Sequence, residues 1–391
     1  MTMARMAVMT GVRKLDIRSY PVPEPEEGQV LIKIEAAAIC GSDQHAFNNP
    51  IAYQTALGHE FVGKIVKMGR NAGKSILCYD GEVRLGDRIA VYPWLTCGHC
   101  KNCLTYGRGT CTVCDTSFFY GGPVSPMGHE EEGWHSSNPD IYPHFKAGYG
   151  EYCILFPGTY VWKLPEGMPA PVAALLDPMA VAMRGIELAQ TQCGVKEEAL
   201  NINTNACIVG AGPIGILAGM ILKIMGVSSV TMVDGIATKL EKAKELGVAD
   251  YIVDFTMHPD RDERTRLINE YTGGGPQLVL QCANTVYAFI DALHYVRRLG
   301  TVVEIGNAAD YGKTVECNPA ALICTKHLRV MGMSANQPGT YDKAFRLLKR
   351  YRQYHFDKLF THTCTLDTLK ETLGKMRDPD YIKGVCLFEE K

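Results

Sequence analysis

Residues 204–235 read TNACIVGAGPIGILAGMILKIMGVSSVTMVDG, and the fold of this half of the chain turns on them. The run Cys207-Ile208-Val209 has the make-up of a buried strand and ends in Gly210-Ala211-Gly212-Pro213-Ile214-Gly215. An apolar helical stretch follows, and a second strand run, SVTMVD, closes on Asp234. Each glycine has a physical reason. Gly210 permits the tight turn, Gly212 lets the backbone approach a pyrophosphate, and Gly215 lets helix and strand pack closely. The pyrophosphate would rest on unpaired amides at the helix N-terminus, where the dipole favours an anion. Asp234 can accept hydrogen bonds from ribose hydroxyls and repels a 2′-phosphate, so NAD is expected over NADP. Lys239 follows close behind and can assist at the ribose or soften that preference.

Working outward, strand runs alternate with helical ones through QLVLQCA, AFIDALHYVRRL and GTVVEIG, the pattern of a parallel doubly wound sheet over residues 179–334. Gln281-Cys282-Ala283-Asn284 ends one strand and Asn307 follows another. Ala283 and Asn307 are therefore expected beside the cofactor. Residues 1–178 differ, with short β-rich runs such as QVLIKIEAAAI, FVGKIVKMG and EYCILFP separated by Gly and Pro turns, as in a β-barrel. The tail, 335–391, is too small to fold alone and is expected to complete the first domain.

Composition narrows the function. With 391 residues, 46% hydrophobic and 21% charged, the chain is a globular protein of at least two domains. Its net charge of −2 provides no broad field for nucleic acid or an anionic membrane. The longest apolar stretch, Ala206–Met225, is broken by glycines and Pro213 and does not read as a span. The N-terminal residues hold no signal-peptide core, which points to the cytoplasm.

The cysteines cluster. Cys97, Cys100, Cys103 and Cys111 form C-x2-C-x2-C-x7-C, a spacing that closes a tetrahedral structural zinc site, with Cys114 left as a spare. A second constellation joins Cys40-Gly41-Ser42-Asp43-Gln44-His45 with Gly58-His59-Glu60. Read as turns of one domain, these offer thiolate, imidazole and carboxylate, three ligand types that zinc accepts at an open, catalytic position.

The ordered set CGSDQH, GHE, the four-cysteine lobe, GDRI (Gly86–Ile89), LLDPMAVAMRGIE and GAGPIG resembles the zinc-dependent alcohol dehydrogenases of the medium-chain dehydrogenase/reductase family, in the sorbitol and threonine dehydrogenase branch. The resemblance covers nearly the whole chain. It implies a GroES-like β-barrel catalytic domain beside a Rossmann domain, with the active site in the cleft between, and a homodimer or homotetramer. It makes Cys40 and His59 ligands of a catalytic zinc, Glu60 a permanent or exchangeable ligand, and Asp177 of LLDP a direct or water-mediated one. Ser42 stands where the family keeps its first proton-relay hydroxyl, and His45 would carry the proton on to solvent. The reaction implied is hydride transfer between a secondary or polyol-like alcohol and NAD, with one catalytic and one structural zinc per chain. The alternatives are a primary-alcohol or aldehyde dehydrogenase of the same mechanism, and a non-catalytic NAD- or zinc-binding scaffold. Two stretches are longer than the family's usual: Asn71–Arg84, and 112–147, whose His129, Glu130–Glu132, His135 and His144 match no ligand spacing.

Overall fold

The computed structural model describes residues 2–51, 53–107, 113–122, 138–190, 200–307 and 312–389. Two compact units divide them. One comprises Met1–Asp177, Asn336–Arg352 and Phe356–Lys391; the other comprises Pro178–Ala335 with Gln353–His355.

The first unit is mostly antiparallel. Strand Val30–Ile39 lies at its centre, paired with Glu60–Met68 on one side and with Lys383–Leu387 on the other. Apolar at all but Lys33 and Glu35, that strand is buried along most of its length, with Leu31, Ile32 and Ile34 in one apolar core with Phe61, Ile65, Ile89 and Ile154. The C-terminal tail contributes two strands to this sheet, Phe360–Cys364 and Lys383–Leu387, which run parallel to each other. Register then sets what meets what. Ala38 pairs with Glu60, and Ile39 with Gly384. Residues just past Ile39 therefore meet Gly58-His59-Glu60 on one flank and Lys383 on the other.

The second unit carries a six-stranded sheet in the order Tyr251–Asp254, Ser229–Asp234, Asn205–Val209, Leu278–Gln281, Thr301–Glu304, Arg329–Gly332, every pair parallel. The order reverses between Asn205–Val209 and Leu278–Gln281, the switch point at whose carboxyl ends such sheets bind ligands. Helix Pro213–Met225 follows the first strand, with Gly212 as its N-cap, and stops at Gly226, where φ is +78°. Gly215 to Leu222 are all buried, so this is an interior helix. No helix among the described residues is long and apolar enough to cross a membrane.

Candidate active site and metal centres

Cys40 is not on a simple turn: it caps helix Gly41–Asn48. Its backbone N–H donates to Asp43 Oδ2 at 2.9 Å, which fixes the first turn and buries that carboxylate. His59 and Glu60 lie opposite, and Glu60 opens its strand rather than sitting in a loop. Gly58 is required just before them. Its φ is +94°, and a Cβ there would come within 2.8 Å of the Tyr149 ring. Tyr149 in turn donates its hydroxyl to Asp43 Oδ2 at 2.7 Å. The other oxygen of Asp43 faces His59 Nδ1 at 3.6 Å.

Donor atoms of Cys40, His59 and Glu60 lie within 4.8 Å of one another. Both side chains are buried: Glu60 Oε2 is paired with the Lys383 ammonium, and His59 Nδ1 makes no hydrogen bond but faces Asp43. Burial alone would depress the His59 pKa, yet the Cys40 thiolate and Asp43 carboxylate raise it to about 10. That is the mark of a pocket with surplus negative charge. Thiolate, imidazole and carboxylate together suit zinc, so the residues present fit such an ion.

Asp177 lies in the first turn of helix Leu176–Gln190, outside the 4.8 Å set but within its field. Burial raises its carboxyl to about 6; Glu60 pushes the same way, while His59 and the Tyr341 hydroxyl, which donates to Oδ1, oppose. Tyr341 is itself fixed between Tyr92, edge-on at 4.8 Å, and Trp162, stacked at 5.5 Å. Ser42 and His45 share one helix at a spacing of three, which puts them on neighbouring positions of its surface. Ser42 is exposed and His45 half-buried, its Nδ1 lying 3.2 Å from the Asn49 amide.

The second cluster holds three of the four expected cysteines among the described residues, together with a further one. Cys97, Cys100 and Cys103 come together with Cys114, not left spare as its sequence position suggested. Cys111 lies outside the described residues. The physical reason is local. Cys100 caps the short helix Lys101–Tyr106, amides of Cys100 and Cys103 point at the sulfurs of Cys97 and Cys100, and the Cys97 amide donates to Cys114 Sγ at 3.4 Å. Burial raises the Cys97 pKa, but N–H groups of His99 and Cys100 overcome it and bring the thiol down to about 6. A thiolate ready at neutral pH suits a metal. In the long excursion, His129, Glu130–Glu132 and His135 are likewise outside the described residues; His144 stacks on Tyr20 and bonds the Pro139 carbonyl, away from any cluster.

In the other unit, Gly210 has φ +109°, and a Cβ there would meet the Ala283 amide at 2.9 Å, so the glycine turn and Ala283 flank the switch point together. Gly212 faces open space, as a backbone meant to approach a ligand should. Pro213 and Ile214 begin the helix. A Cβ on Gly215 would fall 1.9 Å from the Gly210 carbonyl oxygen. Asp234 accepts from the Ala211 amide at 2.7 Å and the Ile236 amide at 2.9 Å, which holds its charge beside the turn. Lys239 is in the first turn of helix Ala237–Glu245. Asn307 ties Glu304 to the Thr285 carbonyl, bridging two strand ends.

Sequence reasoning passed over Asp43, Tyr149, Tyr341 and Lys383. Only Asp43 carried a local signal, its place three residues after Cys40.

Comparison with known proteins gives a consistent picture. Residues 26–166 match the alcohol dehydrogenase GroES-like domain family, and residues 213–350 match the zinc-binding dehydrogenase family. A sorbitol dehydrogenase from Bombyx mori is 27% identical over 379 residues, 95% of each chain. The crystal structure of an alcohol dehydrogenase from Thermotoga maritima superposes with a TM-score of 0.84 at 23% identity, covering all of both chains. An alcohol dehydrogenase from Escherichia coli (rspB), solved with NADH, superposes at 0.78 with 24% identity, covering 99% of this chain and 100% of that one. Those two likenesses are of fold.

Proposed function

The chain belongs to the zinc-dependent alcohol dehydrogenases of the medium-chain dehydrogenase/reductase family, oxidoreductases that act on CH–OH donors, and on that premise we propose that it passes hydride between a secondary or polyol-like alcohol and NAD. The observation that carries this is the Cys40, His59 and Glu60 group, whose thiolate, imidazole and carboxylate donor atoms lie within 4.8 Å of one another. Zinc bound there acts as a Lewis acid and lowers the pKa of the substrate hydroxyl toward neutrality.

The chain's own residues do the rest. Cys40 and His59 hold the ion, with Glu60 or Asp177 supplying a carboxylate. Asp43 faces one ring nitrogen of His59 and so leaves the other for the metal. Ser42, at the exposed start of the helix, takes the substrate proton; His45, one turn on, hands it to solvent. Gly210, Gly212, Pro213, Ile214 and Gly215 shape the pyrophosphate seat, with Ala283 and Asn307 at the strand ends beside it. Asp234 receives the ribose hydroxyls and favours NAD, Lys239 standing near enough in sequence to temper that choice. Cys97, Cys100 and Cys103 with Cys114 or Cys111 hold a second, structural zinc that does no chemistry. The protein is read as a cytoplasmic dimer or tetramer.

The test is nicotinamide absorbance with NAD and, separately, NADP against polyols, β-hydroxy amino acids, secondary and primary alcohols, before and after chelation, with Cys40→Ser alongside. Chelator-sensitive reduction of NAD by secondary alcohols or polyols, lost in Cys40→Ser while one zinc remains, is the expected result. Oxidation of primary alcohols alone would favour the other substrate class. Full activity in Cys40→Ser would overturn the site.

A further inference from the structure

Lys383 lies on the C-terminal strand Lys383–Leu387, far along the chain from the metal-site motifs, and its side chain is only 3% exposed. Its Nζ stands 2.5 Å from Glu60 Oε2, a buried ion pair. The register that pairs Ile39 with Gly384 and Ala38 with Glu60 delivers it there, one strand away on each side. An ion pair this deep is costly to desolvate and adds little stability over apolar packing. Its presence in a metal pocket therefore calls for a role other than holding the fold.

We propose that Lys383 is a positioning residue that competes with the metal for the Glu60 carboxylate, and so keeps one metal position exchangeable for the substrate hydroxyl. This rests on the zinc site proposed above. A carboxylate already neutralised by an ammonium is a poorer ligand than a free one. With Lys383 in place, Glu60 binds weakly and yields. Without it, Glu60 becomes a standing ligand: the ion is held harder and the open position closes.

The experiment uses the whole chain loaded with cobalt(II), whose visible absorption weakens as coordination number rises. It reads three things: the visible band, its response to imidazole as an incoming ligand, and the rate of cobalt release to a chelator. In Lys383→Met the band is expected to weaken, the imidazole response to disappear, and release from the Cys40-dependent site to slow by on the order of tenfold, the scale on which groups behind metal ligands act. Lys383→Arg should keep all three near wild type. A lone buried carboxylate can cost the fold, so the same readings are taken on Glu60→Gln and on the Lys383→Met/Glu60→Gln double variant. If Lys383 acts through Glu60, adding Lys383→Met to Glu60→Gln changes nothing. Slower release in the double variant than in Glu60→Gln would mean a general effect of charge and would overturn the inference, as would a Lys383→Met protein with wild-type spectrum and release. Wild-type protein that takes up no Cys40-dependent cobalt would instead overturn the zinc site itself.

Discussion

Lys146 provides the sharpest test of the electrostatics used here, because its effect on stability can be worked through from its surroundings. The residue is 1% exposed, sits between Phe145 and Ala147 of a small apolar cluster, and follows no acid. The single hydrogen bond of its ammonium among the described residues is a weak donation to the Ile141 carbonyl at 3.4 Å. Burial lowers its pKa from 10.5 to about 8. That fall corresponds to about 3 kcal/mol against the charged form. Below pH 8 the lysine is protonated in both folded and unfolded chains, so the native state carries the whole penalty. As pH rises from about 8 towards 10.5 the folded chain sheds its proton first, and the penalty disappears. Lys146→Met keeps the stem and removes the charge. Losing the bond to Ile141 takes back about 1 kcal/mol, so the variant should be about 2 kcal/mol more stable at pH 7. By pH 10 the advantage should vanish or reverse. All three tryptophans fall between residues 94 and 162, so urea unfolding followed by tryptophan fluorescence reports on this unit. A variant no more stable at pH 7, or one whose gain is the same at both pH values, would refute the reasoning.

Three other outcomes follow from the sites. Asp43→Asn should weaken catalytic zinc binding by about 10- to 100-fold while the cysteine lobe keeps its metal; competition with a chromophoric chelator measures it, and an unchanged affinity would remove Asp43 from the site. Gly215→Ala places a Cβ 1.9 Å from the Gly210 carbonyl oxygen, so the phosphate turn must move and NAD affinity by calorimetry should drop at least about tenfold; wild-type affinity would contradict the proposed seat. His45→Ala should lower turnover at moderate pH by up to about a hundredfold with zinc content unchanged; the same pH–rate profile as wild type would rule out the relay.

What could be read from the sequence was what is local in it. GAGPIG is legible because turn, cap and helix start lie within six residues, and Gly215 answers a constraint set by Gly210 within the motif itself. Cys40, His59 and the first three lobe cysteines are legible for the same reason, since a metal needs donor types at short spacing. Cys114 shows the limit of spacing: four thiols can be counted off a line, but which sulfur accepts the Cys97 amide depends on how the loop returns. The helix Gly41–Asn48 escaped because its residues look like a turn, its amphipathicity being slight. Tyr149 and Lys383 had no signal, for each reaches the site through strand register or a backbone contact formed between segments far apart in the chain.

Those non-local residues are also the ones that make the site work as a site. Cys40, Asp43, Glu60 and Asp177 are four acids in one small volume, and water is largely excluded from it. Burial pushes the Asp43 and Asp177 carboxyls up, which is how a pocket sheds charge it cannot solvate. Tyr149 and Tyr341 answer with hydroxyl donors and Lys383 with a full cation. With His59 neutral as a ligand, one lysine cannot balance four acids, and a divalent ion beside it nearly does. The motif residues thus create a demand for positive charge, and the C-terminal strand meets only part of it. The shortfall left by Lys383 is what selects for a metal, while its grip on Glu60 decides how tightly that metal is enclosed.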